Sequence, residues 1–192
     1  MRRSLILGTA LALAACGSHD AGWHAKDVSG LLPDLEFRMT AAGGGAVSAA
    51  DYRGKVVLLF FGYTNCPDVC PTTLAKLAAA RAAMREHRDA VQVLFVTVDP
   101  ARDTLARLAQ YVAAFGPGMT GLRGDDKALE ALVRRYRVAY SRDKPDAHGE
   151  YAVSHSGGVF VFDATGRARL LVRPEDAAPE IAADLERLAA GG

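Results

Sequence analysis

Val56-Val57-Leu58-Leu59-Phe60-Phe61-Gly62-Tyr63-Thr64-Asn65-Cys66-Pro67-Asp68-Val69-Cys70-Pro71 decides how this chain is read. Six apolar residues without a polar interruption predict a strand buried on both faces. A short loop with two thiols four residues apart follows, and behind it Thr72 to Arg88 has a helical pattern. Strand, thiol loop and helix N-terminus is a geometry that favours thiolate over thiol, because free amide N–H groups and the positive end of the helix dipole face the sulfurs. Pro71 suits the first helical position, where its missing N–H is not needed. With Cys70 at the helix start, sulfurs four residues apart reach the same side. Two soft thiolates there form either a reversible disulfide or half of a site for Cu(I) or Zn(II).

Working outward, Val91 to Val98 is a second buried strand ending at Asp99-Pro100, and Val159 to Phe162 and Ala168 to Val172 read as a hairpin around Asp163-Ala164-Thr165-Gly166-Arg167. Leu35 to Met39 and Met119 to Leu122 are shorter strands. Thr104 to Phe115, Asp126 to Tyr136 and Pro179 to Ala190 have helical periodicity, and Ser141 to Gly149 reads as a loop. Strands alternating with helices, then a hairpin and a last helix, make an α/β sandwich with a mixed sheet. The 192 residues suffice for one domain with a full core. A net charge of +1 without a basic stripe argues against nucleic acid as a partner.

The N-terminus reads as an address. Met1-Arg2-Arg3 is basic, Leu5 to Ala15 is apolar but too short for a stable span, and Leu13-Ala14-Ala15-Cys16 places small residues before a cysteine. This resembles a bacterial lipoprotein signal: residues 1–15 are removed, Cys16 is lipidated, and 16–34 form the lipidated N-terminus and tether ahead of a domain at 35–190. The resemblance implies a protein of the bacterial cell envelope, anchored in the membrane by lipid and facing the periplasm or the outer side of the cytoplasmic membrane. Of the three cysteines, Cys66 and Cys70 then remain as a single close pair. One pair in an exported chain of this size is not a disulfide scaffold, and so short a loop gains little from closure, so the pair reads as functional.

With the thiol loop, the block Val96-Thr97-Val98-Asp99-Pro100-Ala101-Arg102-Asp103-Thr104 and the block Tyr151-Ala152-Val153-Ser154-His155-Ser156, the chain closely resembles the Sco/SenC family over about Leu35 to Leu188. The resemblance implies a thioredoxin-like (peroxiredoxin-like) sandwich, one copper ion, as Cu(I) or Cu(II), held by Cys66, Cys70 and His155, and a role in assembling the dinuclear copper centre of cytochrome c oxidase. The implied partners are the copper-carrying oxidase subunit and an upstream copper donor or thiol reductant. Ser154 departs from the pattern, since the family usually has an acidic residue before the histidine.

Asp99 follows a buried strand, where it acts either beside the site or as turn and cap chemistry. Asp68 is expected to be exposed, and Tyr63 and Phe61 to be walls of the site. His148 reads as a solvated alternative ligand, His19 and His24 as tether residues that bind nothing specific, and His87 as a surface residue at a helix end. The competing function is thiol–disulfide exchange, with Cys66 attacking a partner and Cys70 resolving the mixed disulfide. Three residues between the cysteines rather than two, and no proline before the strand facing the thiols, tell against a general reductase of the thioredoxin type. A peroxiredoxin-like peroxidase is weaker still, because that family's threonine position holds Tyr63.

Overall fold

The apolar run that opens the thiol loop lies in the middle of an eight-stranded sheet in the computed structural model, which describes residues 22–144, 146 and 151–191. The elements run β1 (Lys26–Asp27), β2 (Arg38–Ala41), β3 (Ala46–Ser48), β4 (Val56–Gly62), α1 (Val69–Ala83), β5 (Val91–Thr97) and α2 (Leu105–Ala113). They continue with β6 (Met119–Arg123), α3 (Asp126–Arg135), β7 (Tyr140–Arg142), β8 (Val153–His155), β9 (Val159–Phe162), β10 (Ala168–Val172) and α4 (Ala178–Ala189). The sheet order is β1-β10-β9-β4-β5-β6-β2-β3, and β7 and β8 form a separate two-stranded sheet. The three central strands β4, β5 and β6 are parallel, joined through α1 and α2, and the outer strands are antiparallel. This is the mixed, helix-flanked α/β sandwich that the sequence predicts.

All seven residues of β4 are buried, as a strand covered on both faces requires. Successive side chains divide between the two faces. Phe61 meets the Phe160 ring edge-on, and Tyr136, just past α3, packs on Phe160 and Phe162. On the other face Phe60 packs on Phe95, and Phe95 packs on Tyr111 of α2. Helix α1 lies against α4 and buries Cys70, Leu74, Leu77 and Ala80. The parallel register places Gly62 beside Thr97, so the thiol loop and the β5–α2 connection leave the same end of the sheet.

Several expectations are corrected. The helix read to Arg88 ends at Ala83, because Met84 is extended. It begins at Val69, so Pro71 is its third residue, still inside the turn that needs no N–H. The strand read from Leu35 begins at Arg38, while Leu35 and Phe37 serve the core from an irregular segment. The loop read from Ser141 is shorter than expected, because β7 extends to Arg142 and pairs with β8.

The tether does not run free to Leu35. Lys26–Asp27 pair with β10, Ala25 and Val28 are buried, and the Asp184 carboxylate accepts the backbone N–H groups of His24 and Ala25. The signal segment, Cys16, His19 and His148 lie outside the described residues. Among the described residues no helix is long and apolar enough to cross a membrane.

Candidate metal centre

Cys66 follows the tight turn in which its N–H donates to the Tyr63 carbonyl, and it is half-buried. Cys70 is the second residue of α1 and is fully buried. The Cys70 N–H donates to Cys66 Sγ at 3.4 Å, so an amide of the helix's first turn faces the outer sulfur as expected. The expectation that both thiols are readily ionised fails at the inner one. Burial pushes the Cys70 thiol far above its ordinary range, nearby Cys66 and Asp103 push the same way, and a backbone hydrogen bond at Tyr63 opposes them.

His155 ends β8, and its Nε2 lies 3.2 Å from Cys70 Sγ. Its Nδ1 lies 3.1 Å from the Ser156 carbonyl, which only accepts, so the proton belongs on Nδ1 and the Nε2 lone pair faces the sulfur. One ligand atom each from Cys66, Cys70 and His155 all fall within 4.8 Å of one another, and no other such group of three occurs among the described residues. The imidazole is walled by Phe60 and Tyr63, with ring centroids 6.0 and 6.2 Å away. Tyr63 is therefore the wall that the sequence suggests, whereas Phe61 faces the opposite side of the sheet and Phe60 takes its place.

Ser154, where the family pattern has an acid, is exposed on the hairpin while its neighbours Val153 and His155 turn inward. Asp99 is not in the ligand cluster. Its buried carboxylate accepts from Arg102 Nε at 2.5 Å and from the Tyr151 hydroxyl at 2.6 Å, binding the β5–α2 connection to the segment that leads into β8. Asp68 is exposed as expected, and its side chain does not cap α1.

Two residues near the thiols escape the sequence reading. Asp103 is fully buried and accepts from the Thr64 N–H (3.0 Å), the Thr64 hydroxyl (2.5 Å) and the Thr97 hydroxyl (2.6 Å). It ties the thiol loop to β5; the only signal for it was a second acid in the Asp99-Pro100 stretch, where Thr104 is the actual cap of α2. Gly62 is the other. A Cβ there would stand 2.5 Å from Phe95 Cε2 and 2.8 Å from Cys70 Sγ. A glycine closing an otherwise bulky apolar strand is the signal that a neighbour approaches closely.

Two histidines assigned no specific partner have one. His24 Nδ1 lies 3.0 Å from Asp184, and His87 Nδ1 lies 2.7 Å from Glu186. Both hold the chain against α4, away from the thiols.

The mitochondrial SCO2 homologue of Bos taurus is 42% identical over 119 residues, covering 61% of this chain, and this chain spans 45% of that protein's length. The structure of Bradyrhizobium japonicum ScoI with copper bound superimposes with a TM-score of 0.74 at 36% identity, covering 81% of this chain and 98% of that one. Arabidopsis thaliana ScoI with copper bound gives a TM-score of 0.76 at 28% identity, covering 83% and 99%. The SCO1/SenC family model matches residues 31–190, which contain the thiol loop, the Asp99–Asp103 connection and the histidine hairpin; the chain belongs to the SCO1/SenC family.

Proposed function

We propose that this protein binds one copper ion through Cys66, Cys70 and His155 and delivers it to the dinuclear copper centre of cytochrome c oxidase. The observation that carries the reading is the convergence of two sulfurs and an Nε2 within 4.8 Å. The donor set fits the ion: thiolate is soft, imidazole borderline, and together they suit Cu(I) and also hold Cu(II). Capture of Cu(I) releases the thiol protons as two sulfur–copper bonds form. The bound cation supplies the charge that the buried Cys70 site lacks, so the proton that burial holds on the sulfur leaves when the metal arrives. Cys66, the more accessible sulfur, is the ligand an incoming thiolate of the target displaces first. The relatives whose structures hold copper support the same cargo. An upstream donor supplies the ion.

The same asymmetry favours one second reading. An accessible Cys66 above a buried Cys70 suits thiol–disulfide exchange, in which the Cys66 thiolate attacks a partner disulfide and the Cys70 thiol, losing its proton, closes the Cys66–Cys70 bond and releases the partner reduced. His155→Ala separates the two. Copper delivery loses one ligand in three, and exchange keeps both sulfurs. Copper titration of the reduced protein, with X-ray absorption on the loaded form, is expected to show sulfur at roughly 2.2–2.3 Å, near general metal–thiolate distances. A first shell of nitrogen and oxygen alone would overturn the copper assignment. Oxidase maturation that stays normal in His155→Ala while copper binding is lost would put the exchange reading first.

We also propose that Cys16 is lipidated and holds the domain on the periplasmic side of a bacterial membrane. Mass spectrometry of the mature N-terminus tests this, and a chain that begins beyond Cys16 without an acyl group refutes it.

A further inference from the structure

His155 does not belong to the main sheet. It rides on the β7–β8 hairpin, a two-stranded sheet of three residue pairs, Tyr140 with His155, Ser141 with Ser154 and Arg142 with Val153. An isolated pair of strands this short is not stable alone. Its position against the thiols therefore depends on what fastens it to the body.

Those fastenings meet at Arg102. Its guanidinium stacks 3.6 Å from the Tyr151 ring centroid and lies 5.9 Å from that of Tyr63. It donates to the Asp99 carboxylate (2.5 Å) and to the Tyr151 carbonyl (3.0 Å), and the Tyr151 hydroxyl donates to the other Asp99 oxygen at 2.6 Å. Tyr63 continues the chain of contacts: its hydroxyl accepts the Val153 N–H at 3.5 Å, and its ring meets His155 at 89°. Arg142 adds a bond to the Val98 carbonyl. Arg102 is only 16% exposed and Asp99 is fully buried, so the ion pair is shielded and its bonds are of the stronger, charge-assisted kind.

We propose that Arg102, with Asp99 and Tyr151, is the positioning residue of the histidine: this cluster latches the β7–β8 hairpin so that the His155 imidazole faces Cys70. The inference rests on the copper reading only for its metal-dependent consequence. Opening the latch removes the nitrogen from a site whose two sulfurs, on α1 and the loop before it, stay where they are. Copper(I) then keeps two thiolates, and copper(II), which depends more on imidazole, is bound less well.

The test uses the reduced protein and three variants. Arg102→Met removes charge and fork, Arg102→Lys keeps the charge without the planar fork, and Tyr151→Phe keeps the ring beneath the guanidinium without the hydroxyl. Without metal, nuclear Overhauser contacts between the His155 ring and the rings of Phe60 and Tyr63 are expected to vanish in Arg102→Met and weaken in the other two. Contacts of Phe60 with Phe95 are expected to remain and report an intact core. With copper, Arg102→Met is expected to bind Cu(II) at least tenfold more weakly and to lose nitrogen hyperfine structure in its paramagnetic resonance spectrum. The Cys66–Cys70 disulfide potential is expected to be that of the wild type. Should Arg102→Met fail to fold, the two milder variants carry the test. Unchanged His155 contacts in folded variants overturn the latch. Loss of those contacts in the variants, beside a wild-type protein that keeps them but takes up no copper, would uphold the latch and overturn the copper reading.

Discussion

Raising the pH on the reduced, metal-free protein tests the burial of Cys70 most directly. Its folded pKa lies far above the unfolded value, chiefly because the sulfur sits fully buried under Gly62 and Phe95. A raised folded pKa means that the folded state holds the proton more tightly. The resulting stability is complete below the unfolded thiol pKa of about 8.5 and is lost as pH rises toward the folded value. Each pH unit in that window removes about 1.4 kcal/mol, so from pH 8.5 to 10 the loss is about 2 kcal/mol. For a domain of this size that lowers the melting temperature by roughly 4–8 °C. The assay is a series of melting curves between pH 7 and 10 on wild type and Cys70→Ala. The variant starts lower, because it leaves a small cavity, and the decisive quantity is the difference between the two slopes, in which groups common to both proteins cancel. Restricting the series to pH 10 keeps the buried tyrosines, whose pKa values are also raised, out of the comparison. Parallel curves would show that Cys70 ionises freely in the fold, and the account of a proton held until copper displaces it would fail.

Gly62→Ala is expected to cost about 1–3 kcal/mol by overpacking and to weaken copper binding, since its methyl group would press on Cys70 Sγ and the Phe95 ring; unchanged melting and unchanged affinity together would show that both neighbours move aside at no cost. Asp103→Asn is expected to lose about 1.5–3 kcal/mol in urea unfolding, the worth of hydrogen bonds to a charged group, because an amide cannot serve the three donors of Thr64 and Thr97 as a carboxylate does. A midpoint equal to that of wild type would show that the loop is held by something else. Asp184→Ala is expected to free the segment from His24 to Val28, read as at least a roughly tenfold faster amide exchange at Ala25, whose N–H the carboxylate accepts at 2.8 Å; wild-type protection there would mean that pairing of β1 with β10 suffices.

Much of this protein is legible from local pattern. The run Val56–Phe61 is apolar at every position, short, rich in valine and phenylalanine and closed by Gly62, which marks a strand covered on both faces rather than a buried helix, so the central strand of a layered α/β fold follows from side-chain chemistry. The thiol pair reads as functional because two cysteines four apart at a helix start have few structural uses. His155 is different. Eighty-five residues separate it from Cys70, and its place in a short polar segment carries no periodic signal; it was found only through resemblance of its block to a family. What brings imidazole to sulfur at 3.2 Å is the packing of a separate hairpin on the body, a tertiary event.

Tertiary structure alone also decided that Cys70 resists ionisation, because burial of that sulfur outweighs the helix dipole acting on it. It decided that Phe60 rather than Phe61 walls the histidine, since neighbours in a strand face opposite ways and the sequence does not say which way is which. It decided that Asp99, Arg102 and Tyr151 form one cluster, for hydrogen bonds and ring stacking between a loop and a distant segment leave no mark on local composition. The sequence by itself determined the main strands and helices and the chemistry they carry, because propensity, periodicity and thiol character are local. Which groups meet, and in what dielectric, was set by the fold, because contact and burial are properties of the whole chain.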